Sequence, residues 1–402
     1  MTKKEAKGGL QMKTVFLGAK AFQNGIIKKG GCDFIAKSPL FHDLSVDASQ
    51  YVVFPAFADM HVHFREPGFS YKETIRSGSM AAAHGGYTTV CTMPNLNPTP
   101  DSLENLKLQL DLIKEQANIR VLPFGSITKG QKGNELSNIE EIAPYVCGFS
   151  DDGVGVNDEG LMKEAMQRAR AVDKIISAHC EDNSCIKDSP EAEWKQIERD
   201  IKLVDEIKCK YHVCHISTKE SVSLIRDAKK SGVNITCETA PHYLTLCDLD
   251  VKDDGRYRMN PPLRTLKDKE ALLEGICDGA IDMIATDHAP HSAEEKSRGL
   301  KSLNGIVGLE TAFPILYTKL VKHGIIPLEK LVELMSVNPY ERFSLEVDGY
   351  TVYDLNKEYI INPNEFYSMG RSTPFANEKV FGKTVATVYN GEMVYFDKDV
   401  IK

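Results

Sequence analysis

The sequence lacks the features of a secreted or membrane protein. No uninterrupted apolar run approaches the roughly 18 residues of a membrane span, and the opening MTKKEAKGGLQ has no apolar stretch typical of a signal peptide. The ten cysteines include no Cys-x-x-Cys pair, and several lie inside apolar runs, as expected of reduced, space-filling thiols. We therefore expect a cytoplasmic protein with no membrane partner, whose residues 1–11 form a disordered leader before the strand pattern that starts at Met12.

Positive charge is also scarce. The chain has 49 Lys and Arg residues against 57 Asp and Glu residues, which gives a net charge of −8. This balance argues against a nucleic-acid partner, because nucleic-acid binding depends largely on neutralising phosphates. Hydrophobic residues make up 42% and charged residues 26% of the sequence, as in globular proteins, which excludes disordered and collagen-like chains. The composition favours an enzyme of the cytosol.

The hydrophobic pattern predicts an α/β fold. From residue 52 to residue 290, short β-branched runs alternate with amphipathic, helix-like stretches such as 103–116 and 219–232. Eight strand-like runs are present, the number that closes a (β/α)₈ TIM barrel. Residues 12–56 and 344–402 are instead strand-like and rich in turns. We predict a barrel over residues 57–343 and a small β-sandwich domain formed by both chain ends.

Polar residues stand at the ends of the predicted strands, where barrel active sites are built. His61 and His63 are separated by one residue on the first strand, so both point to one face and can hold one metal ion. An isolated His-x-His is more often a pair of partly exposed histidines, so further ligands must decide. Three candidates end later strands: His179 in SAHCED, His215 in HVCHIST and Asp287 in ATDHAPH. Five ligands exceed what one tetrahedral zinc with an open position uses, which predicts a site for two metals.

Strand alternation constrains the neighbours of these ligands. Two metals need an anionic bridge, and Asp151 and Asp152 in FSDDGVGV stand where it would be. The two cannot both face inward, because neighbouring side chains on a strand alternate. By the same rule Cys180 and Cys214, which adjoin two of the ligands, should point into the helical layer.

The remaining histidines are expected to play lesser roles. His42, His84 and His323 lie in a sandwich loop, on a helix and at a helix end, where a solvated or packing role is expected. His242 and His288 flank the site, and we consider them only as residues that could support the ligands.

Seven motifs resemble a known family. They are DMHVHFREPG, TMPN, FSDDGVGV, AHCED, HVCHISTKES, MNPPLR and ATDHAPH, and in this order they resemble the dihydroorotases of the amidohydrolase superfamily. The resemblance covers residues 12–402 and points to the free-standing class whose metals are bridged by aspartate. It implies a barrel with a small sandwich domain that interconverts N-carbamoyl-L-aspartate and L-dihydroorotate in pyrimidine (UMP) biosynthesis.

The resemblance implies two zinc ions per subunit, with three groups of ligands: His61, His63 and Asp287 for one ion, His179 and His215 for the other, and Asp152 as the bridge. Many members of the superfamily use a carboxylated lysine as the bridge, but FSDDG has no lysine at that point. The implied reaction uses a hydroxide held between the two ions, with Asp287 as the general acid and base.

The resemblance also implies a set of substrate contacts: His63, Arg65, Asn95, Asn260, His291, and the backbone of Asn304 and Gly305. Arg65 lies two residues past His63 on the same face, and a guanidinium is the best bidentate partner for a carboxylate. The segment 292–305 follows His291 at the barrel mouth, and we hypothesise that it closes over the substrate as a lid.

Two alternatives stay open at this stage. An allantoinase or hydantoinase would keep the metals and change the substrate contacts, but a buried Arg65 would then lack a carboxylate partner. An inactive barrel could serve as a scaffold for aspartate transcarbamoylase, although a scaffold has no physical need for six convergent ligands. The family analogy favours a homodimer. The connection between AHCED and HVCHIST and the tail after Phe343 are shorter than in close relatives, which bears on the sandwich and the subunit interface.

Overall fold

The computed structural model describes residues 12–37 and 43–401, so the predicted leader and His42 lie outside the described residues. The strands are β1 (Lys13–Gln23), β2 (Ile26–Lys37), β3 (Leu44–Asp47), β4 (Val52–Pro55), β5 (Phe57–Val62), β6 (Tyr87–Thr92), β7 (Arg120–Ser126), β8 (Gly148–Ser150), β9 (Ile175–Ala178), β10 (Lys210–Val213), β11 (Ile235–Thr239), β12 (Met283–Ile284), β13 (Gly349–Ile360), β14 (Lys379–Tyr389) and β15 (Glu392–Phe396).

The α-helices are α1 (Ile75–His84), α2 (Leu103–Gln116), α3 (Ile139–Ile142), α4 (Glu159–Ala171), α5 (Pro190–Ile207), α6 (Lys219–Lys230), α7 (Pro241–Thr245), α8 (Leu266–Asp278), α9 (Ala312–Leu316), α10 (Leu328–Val332) and α11 (Asn338–Arg342). Two π-helical stretches, Tyr317–Val321 and Glu333–Val337, continue α9 and α10. Short 3₁₀ turns cover Lys129–Gln131, Ala143–Tyr145, Asp248–Asp250, Gly255–Tyr257, Gly299–Lys301, Pro363–Glu365 and Lys398–Ile401. Within the described ranges, no helix is long and apolar enough to cross a lipid bilayer.

Strands β5 to β12 form one parallel sheet in which each strand pairs with its neighbour along the chain. A parallel bridge between Val62 and His288 links β5 to the chain just past β12. The eight strands therefore form a nearly closed barrel, which confirms the predicted α/β class. The predicted first strand is divided, because β4 belongs to the small domain and β5 to the barrel.

Side-chain caps fix where the helices around the barrel begin. Thr74 and Thr265 form capping boxes at α1 and α8, and a single side-chain oxygen accepts a backbone N–H at each of four others: Ser102 (α2), Asp158 (α4), Ser189 (α5) and Thr218 (α6). Each cap satisfies N–H groups that the helix itself leaves unpaired. Helix α2 matches its predicted range, whereas α8 was not predicted from the sequence.

The two chain ends build one small sheet in the order β2-β15-β14-β13-β4-β1-β3. Because β2 also pairs with β1, the sheet closes on itself. This single closed sheet is consistent with the small domain predicted from both chain ends, and its description as a sandwich stays a prediction. Strand β1 shifts register twice against β2 and pairs with β3 along its first part and with β4 along its last part. The domain limits proposed from the sequence stay a prediction.

The connection between β13 and β14 returns to the barrel. The hydroxyl of Ser368 and the N–H of Met369 both donate to the carboxylate of Glu73, in the loop before α1. His288 donates to the same carboxylate at 3.3 Å. Part of the segment that the sequence assigned to the small domain thus supports the barrel mouth.

Candidate functional site

The predicted site residues lie at the carboxyl ends of the barrel strands, around a cavity of about 180 Å³. Its walls include all the predicted substrate contacts and every predicted metal ligand except His61, which is fully buried. Most of these side chains stand one to three residues beyond the last paired residue of their strand. The strands are therefore shorter than the sequence pattern suggested, and the chain leaves β geometry where the site begins.

Asp152 lies at the centre of four histidines. Its Oδ1 lies 3.3–3.7 Å from one ring nitrogen each of His61, His179 and His215, and its Oδ2 lies 3.4 Å from Nε2 of His63. Burial alone would raise the pKa of Asp152, but the charge of His61 and the close approach of the His215 ring hold that pKa well below its usual range. Asp152 is therefore an anion that faces all four rings.

Asp287 joins this cluster from the end of the last barrel strand. Its Oδ1 lies 3.0 Å from Nε2 of His63 and 3.6 Å from Nε2 of His61. These three residues form one group of converging ligand atoms, and His61, Asp152 and His215 form a second. The rings of His179 and His215 touch, with Nδ1 and Nε2 3.0 Å apart. The structure thus brings together all six predicted metal ligands.

Asp151 is turned away from the cluster. Its carboxylate accepts the N–H groups of Ile127 at 2.8 Å and Thr128 at 3.1 Å, as well as the Thr128 hydroxyl. Burial raises the pKa of Asp151 to about 7. The alternation expected for the Asp151–Asp152 pair is therefore observed, and only Asp152 faces the histidines.

The donor set fits a metal site. Nε2 of His61 and Oδ1 of Asp152 are buried and have no hydrogen-bond partner within the described part of the chain, although they lie 3.3 Å apart. The outer ring nitrogens are occupied: Nδ1 of His61 faces Glu238 at 2.7 Å, and Nδ1 of His63 faces Asn95 at 2.9 Å. A histidine that donates its outer N–H presents the other nitrogen as a free metal ligand.

Two of the six residues adopt backbone conformations that favour glycine. His215 has φ of 30° and Asp287 has φ of 48°. Such conformations cost of order 1–3 kcal/mol each and persist only where the surroundings impose them. Both side chains therefore depart from the alternation of a regular strand and line the cavity.

This departure from alternation corrects one prediction. Cys214 packs inside the barrel with Met60 and Met283, not in the helical layer, because the turn at His215 breaks the pattern on which the prediction depended. Cys180 lies as predicted: its thiol is 3.8 Å from the Tyr211 hydroxyl, which in turn bonds to Asp200 of α5.

Sequence reasoning missed three carboxylates that support the cluster, of which Glu238 and Asp59 are buried and Glu181 is partly exposed. Glu238 accepts from His61 and lies 3.2 Å from His212. Asp59 accepts the N–H of His61 at 3.0 Å, and burial raises its pKa to about 7. Glu181 lies 3.3 Å from Nε2 of His179. For Glu238 and Asp59 the available signal was an acidic residue inside an otherwise apolar strand.

Arg65 is buried at one end of the cavity. Its Nε donates to the carbonyl of Pro290 at 3.3 Å, and within the described ranges it forms no ion pair with a carboxylate. Burial lowers the pKa of Arg65 to about 10, so the guanidinium stays charged at neutral pH. The cavity therefore contains a cation that forms no ion pair among the described residues.

The other predicted substrate contacts are partly occupied. Nε2 of His291 lies 2.6 Å from the carbonyl of Asn304, and the N–H of Gly305 donates to the carbonyl of Arg258 at 3.0 Å. Asn260 approaches Glu181 at 3.4 Å. The side-chain oxygen of Asn304 is buried and unpartnered within the described residues.

Hydrogen bonds hold the segment 292–305 to the loop 253–258. The ammonium of Lys296 donates to the carbonyls of Arg258, Leu303 and Gly305, and the N–H of Leu300 donates to Asp253. Closure of this segment over a substrate stays a prediction.

The remaining histidines lie outside the cavity. His288 turns its ring towards Glu73 and the N–H of Gly308. His242 is buried without a partner for its Nε2 within the described residues, and burial lowers its pKa to about 4. His84 pairs with Glu310 at 2.6 Å, and His323 is exposed. None of these four belongs to a group of converging ligand atoms in the described part of the chain.

Comparison with known proteins gives a consistent family. The dihydro-orotase-like family profile matches residues 50–193. The chain is 50% identical over 383 residues to a dihydroorotase of Fusobacterium nucleatum, a match that covers 89% of this chain and 90% of the relative. It is 46% identical over 385 residues to a dihydroorotase of Bacillus subtilis, with 89% and 90% covered.

Similar solved structures support the fold. An L-hydantoinase (dihydropyrimidinase) from Arthrobacter aurescens superimposes with a TM-score of 0.84 at 24% identity, over 95% of this chain and 96% of the other. A dihydropyrimidinase from Brevibacillus agri gives a TM-score of 0.82 at 20% identity, with 96% of each chain covered. At this level of identity, the likeness extends to the architecture alone.

Proposed function

The chain belongs to the dihydroorotase family, and we propose that it interconverts N-carbamoyl-L-aspartate and L-dihydroorotate, the ring-closing step of pyrimidine biosynthesis. One observation carries the proposal beyond family membership. The unpaired, buried guanidinium of Arg65 shares a cavity with the histidine and aspartate cluster. A cyclic amide that also carries a free carboxylate matches both features, since the amide faces the cluster and the carboxylate pairs with Arg65.

We propose that the cluster holds two Zn²⁺ ions per subunit. His61, His63 and Asp287 would hold one ion, His179 and His215 the other, and Asp152 would lie between them. Support comes from the convergence of the six side chains and from the two buried ligand atoms that have no hydrogen-bond partner within the described residues. Such ions would supply Lewis acidity towards the amide carbonyl and lower the pKa of a water molecule.

The substrate contacts follow from the cavity wall. Arg65 would bind the carboxylate outside the ring, and Asn95, whose oxygen is already taken by His63, would donate through its amide nitrogen. His291, Asn260, Asn304 and Gly305 would surround the ring and its carbonyl groups. For Gly305 and His291, contact with the ring requires that their present bonds to Arg258 and Asn304 be exchanged or shared.

Asp287 would carry the proton. Its carboxylate lines the cavity and lies beside His63. In the hydrolytic direction it would accept a proton from the attacking water and return it to the ring nitrogen as the amide bond breaks. In cyclisation the same carboxylate would move the proton in the opposite direction, as microscopic reversibility requires.

The two alternatives fit the site less well. A neutral hydantoin would leave the buried charge of Arg65 without a partner, and allantoin has no carboxylate either. An inactive scaffold for aspartate transcarbamoylase has no use for six convergent ligands or for two strained backbone positions that aim them. We keep association with that enzyme, a homodimeric state and a cytoplasmic location as proposals that follow from the family.

A substrate panel tests this function. The purified protein, loaded with zinc, is assayed for hydrolysis of L-dihydroorotate, hydantoin and allantoin under the same conditions. The proposal expects turnover of L-dihydroorotate and little of the other two, with loss of activity after chelation. Hydrolysis of hydantoin with no turnover of L-dihydroorotate would favour the hydantoinase alternative.

A further inference from the structure

Lys72 contacts His291, a proposed substrate contact, but has no role in the proposed reaction. It lies in the turns between β5 and α1, where the N–H of Phe69 donates to the carbonyl of Arg65 and the N–H of Lys72 donates to the carbonyl of Phe69. These two turns fold the chain back towards the mouth. The side chain of Lys72 is largely buried, with 11% exposed.

The ammonium of Lys72 meets the segment that begins at His291. It lies 2.9 Å from Oε1 of Glu295 and 3.3 Å from Nδ1 of His291. The Tyr71 hydroxyl donates to the same oxygen of Glu295 at 3.1 Å. The other carboxylate oxygen of Glu295 accepts the N–H of Ser292 at 3.0 Å. Lys72 therefore cross-links the segment that carries Arg65 to the segment that carries His291.

The same contacts define the protonation of His291. An ammonium has three donors and no acceptor, so Nδ1 of His291 must accept from Lys72. Nε2 then carries the ring proton, which it donates to the Asn304 carbonyl at 2.6 Å. The opposite tautomer would place a bare Nε2 against a carbonyl oxygen, two acceptors without a hydrogen between them.

Without Lys72 this arrangement would change. Oε2 of Glu295 lies 3.4 Å from Nδ1 of His291, and a carboxylate at that distance favours a proton on Nδ1. Burial, Arg65 and Lys72 together lower the pKa of His291 to about 3, so the loss of Lys72 would raise this pKa and leave Nδ1 without the hydrogen bond that it accepts. The charged groups around His291 are Arg65 and Lys72 on one side, Glu295 on its own segment, and Arg256, Lys296 and Arg371 around a second cavity.

We propose that Lys72 is a positioning residue for the substrate site: it fixes His291 as a neutral ring with its proton on Nε2 and anchors the 291–305 segment to the Arg65 loop. The functional part of this inference depends on the proposed reaction, since His291 and Arg65 are both among its proposed substrate contacts. The tautomer and the cross-link depend only on the contacts of the chain. Lys72 itself does not line the cavity and takes no part in the chemistry.

The test compares Lys72→Met, which keeps the length of the side chain, with Lys72→Arg, which keeps a cationic donor. The exposed Lys202 of α5 pairs with Glu198, and Lys202→Met is the matched control. We expect Lys72→Met to raise KM for L-dihydroorotate roughly tenfold with kcat within about twofold, because the lost ordering concerns binding remote from the reacting amide.

Nitrogen-15 NMR of labelled histidine provides a readout that is independent of activity. The His291 signals, identified by their loss in His291→Gln, should show a neutral ring protonated on Nε2 in the wild type and in Lys72→Arg. In Lys72→Met the Nδ1 signal should move, because Nδ1 loses the hydrogen bond that it accepts from the ammonium. An unchanged His291 signature in Lys72→Met would overturn the inference, whatever happens to KM. A wild type that does not turn over L-dihydroorotate would refute the proposed function and leave the tautomer result standing.

Discussion

Replacement of Arg65 by methionine should lower activity and raise stability at the same time. The guanidinium is buried, has no carboxylate partner within the described residues, and has its pKa lowered from 12.5 to about 10 by burial. A shift of that size corresponds to roughly 3 kcal/mol by which the folded state disfavours the charge. The chain is charged at position 65 in both the folded and unfolded states at pH 7, so this penalty opposes folding throughout the neutral range.

Methionine removes the charge and keeps an apolar stem of similar volume. We expect the free energy of unfolding of Arg65→Met to rise by up to about 3 kcal/mol, less the lost bond to the Pro290 carbonyl, which is worth about 1 kcal/mol. The carboxylate of the substrate would lose a charge-assisted pair worth roughly 1.5–3 kcal/mol, so kcat/KM for L-dihydroorotate should fall on the order of 10- to 150-fold.

Two assays on the same preparation check this prediction. Denaturant unfolding gives the change in stability, and steady-state kinetics with L-dihydroorotate give the change in kcat/KM. Lys202→Met serves again as a control that removes an exposed cation. Unchanged kinetics would place the carboxylate site elsewhere. A loss of stability as large as the expected gain would show that Arg65 is a structural residue whose charge is compensated in the folded protein.

Three further predictions concern the same site and its proposed reaction. Asp152→Ala should abolish activity and metal retention, whereas Asp151→Ala, which removes the acceptor of the Thr128 N–H and the nearer acceptor of the Ile127 N–H, should mainly lower the melting temperature; equal metal loss from both, measured by elemental analysis, would contradict the role of Asp152. Glu238→Leu should weaken zinc binding about 10- to 100-fold in chelator competition, because Nδ1 of His61 loses its partner; unchanged affinity would mean that the ring is held by its other contacts. Cyclisation converts a ligand with two carboxylates into one with a single carboxylate and consumes a proton, so each unit of lower pH should favour the ring about tenfold; an equilibrium ratio that stays flat between pH 6 and pH 8 would mean that another reaction is catalysed.

The sequence was most informative where chemistry forces residue types into motifs. The strand count and the candidate ligands at the strand ends followed from hydrophobic period and residue position, and the structure brings those residues together. Alternation showed only that Asp151 and Asp152 cannot both face inward, and the family resemblance implied Asp152 as the bridge. Alternation failed at Cys214, because the neighbouring His215 has a positive φ that no sequence pattern signals.

Pairings over long separations were beyond local patterns. The ends of the chain were assigned to one small domain, but the pairing of β1 with β2, β3 and β4 depends on bulges within β1 and closes a single sheet. Glu238 contacts His61, which lies 177 positions away in the chain, and Lys72 contacts His291, which lies 219 positions away. Glu238 and Lys72 in particular become functional candidates only once the fold has placed them beside a ring nitrogen.

The most direct test of the central claim is cyclisation by the purified wild-type chain. N-carbamoyl-L-aspartate is incubated with the zinc-loaded protein at pH 6, and the ring product is separated and identified by chromatography and mass spectrometry. The account predicts that L-dihydroorotate forms at a rate proportional to protein concentration and that Asp152→Ala forms none above the uncatalysed background. Absence of L-dihydroorotate from a folded, zinc-loaded wild type, or equal product from Asp152→Ala, would contradict it.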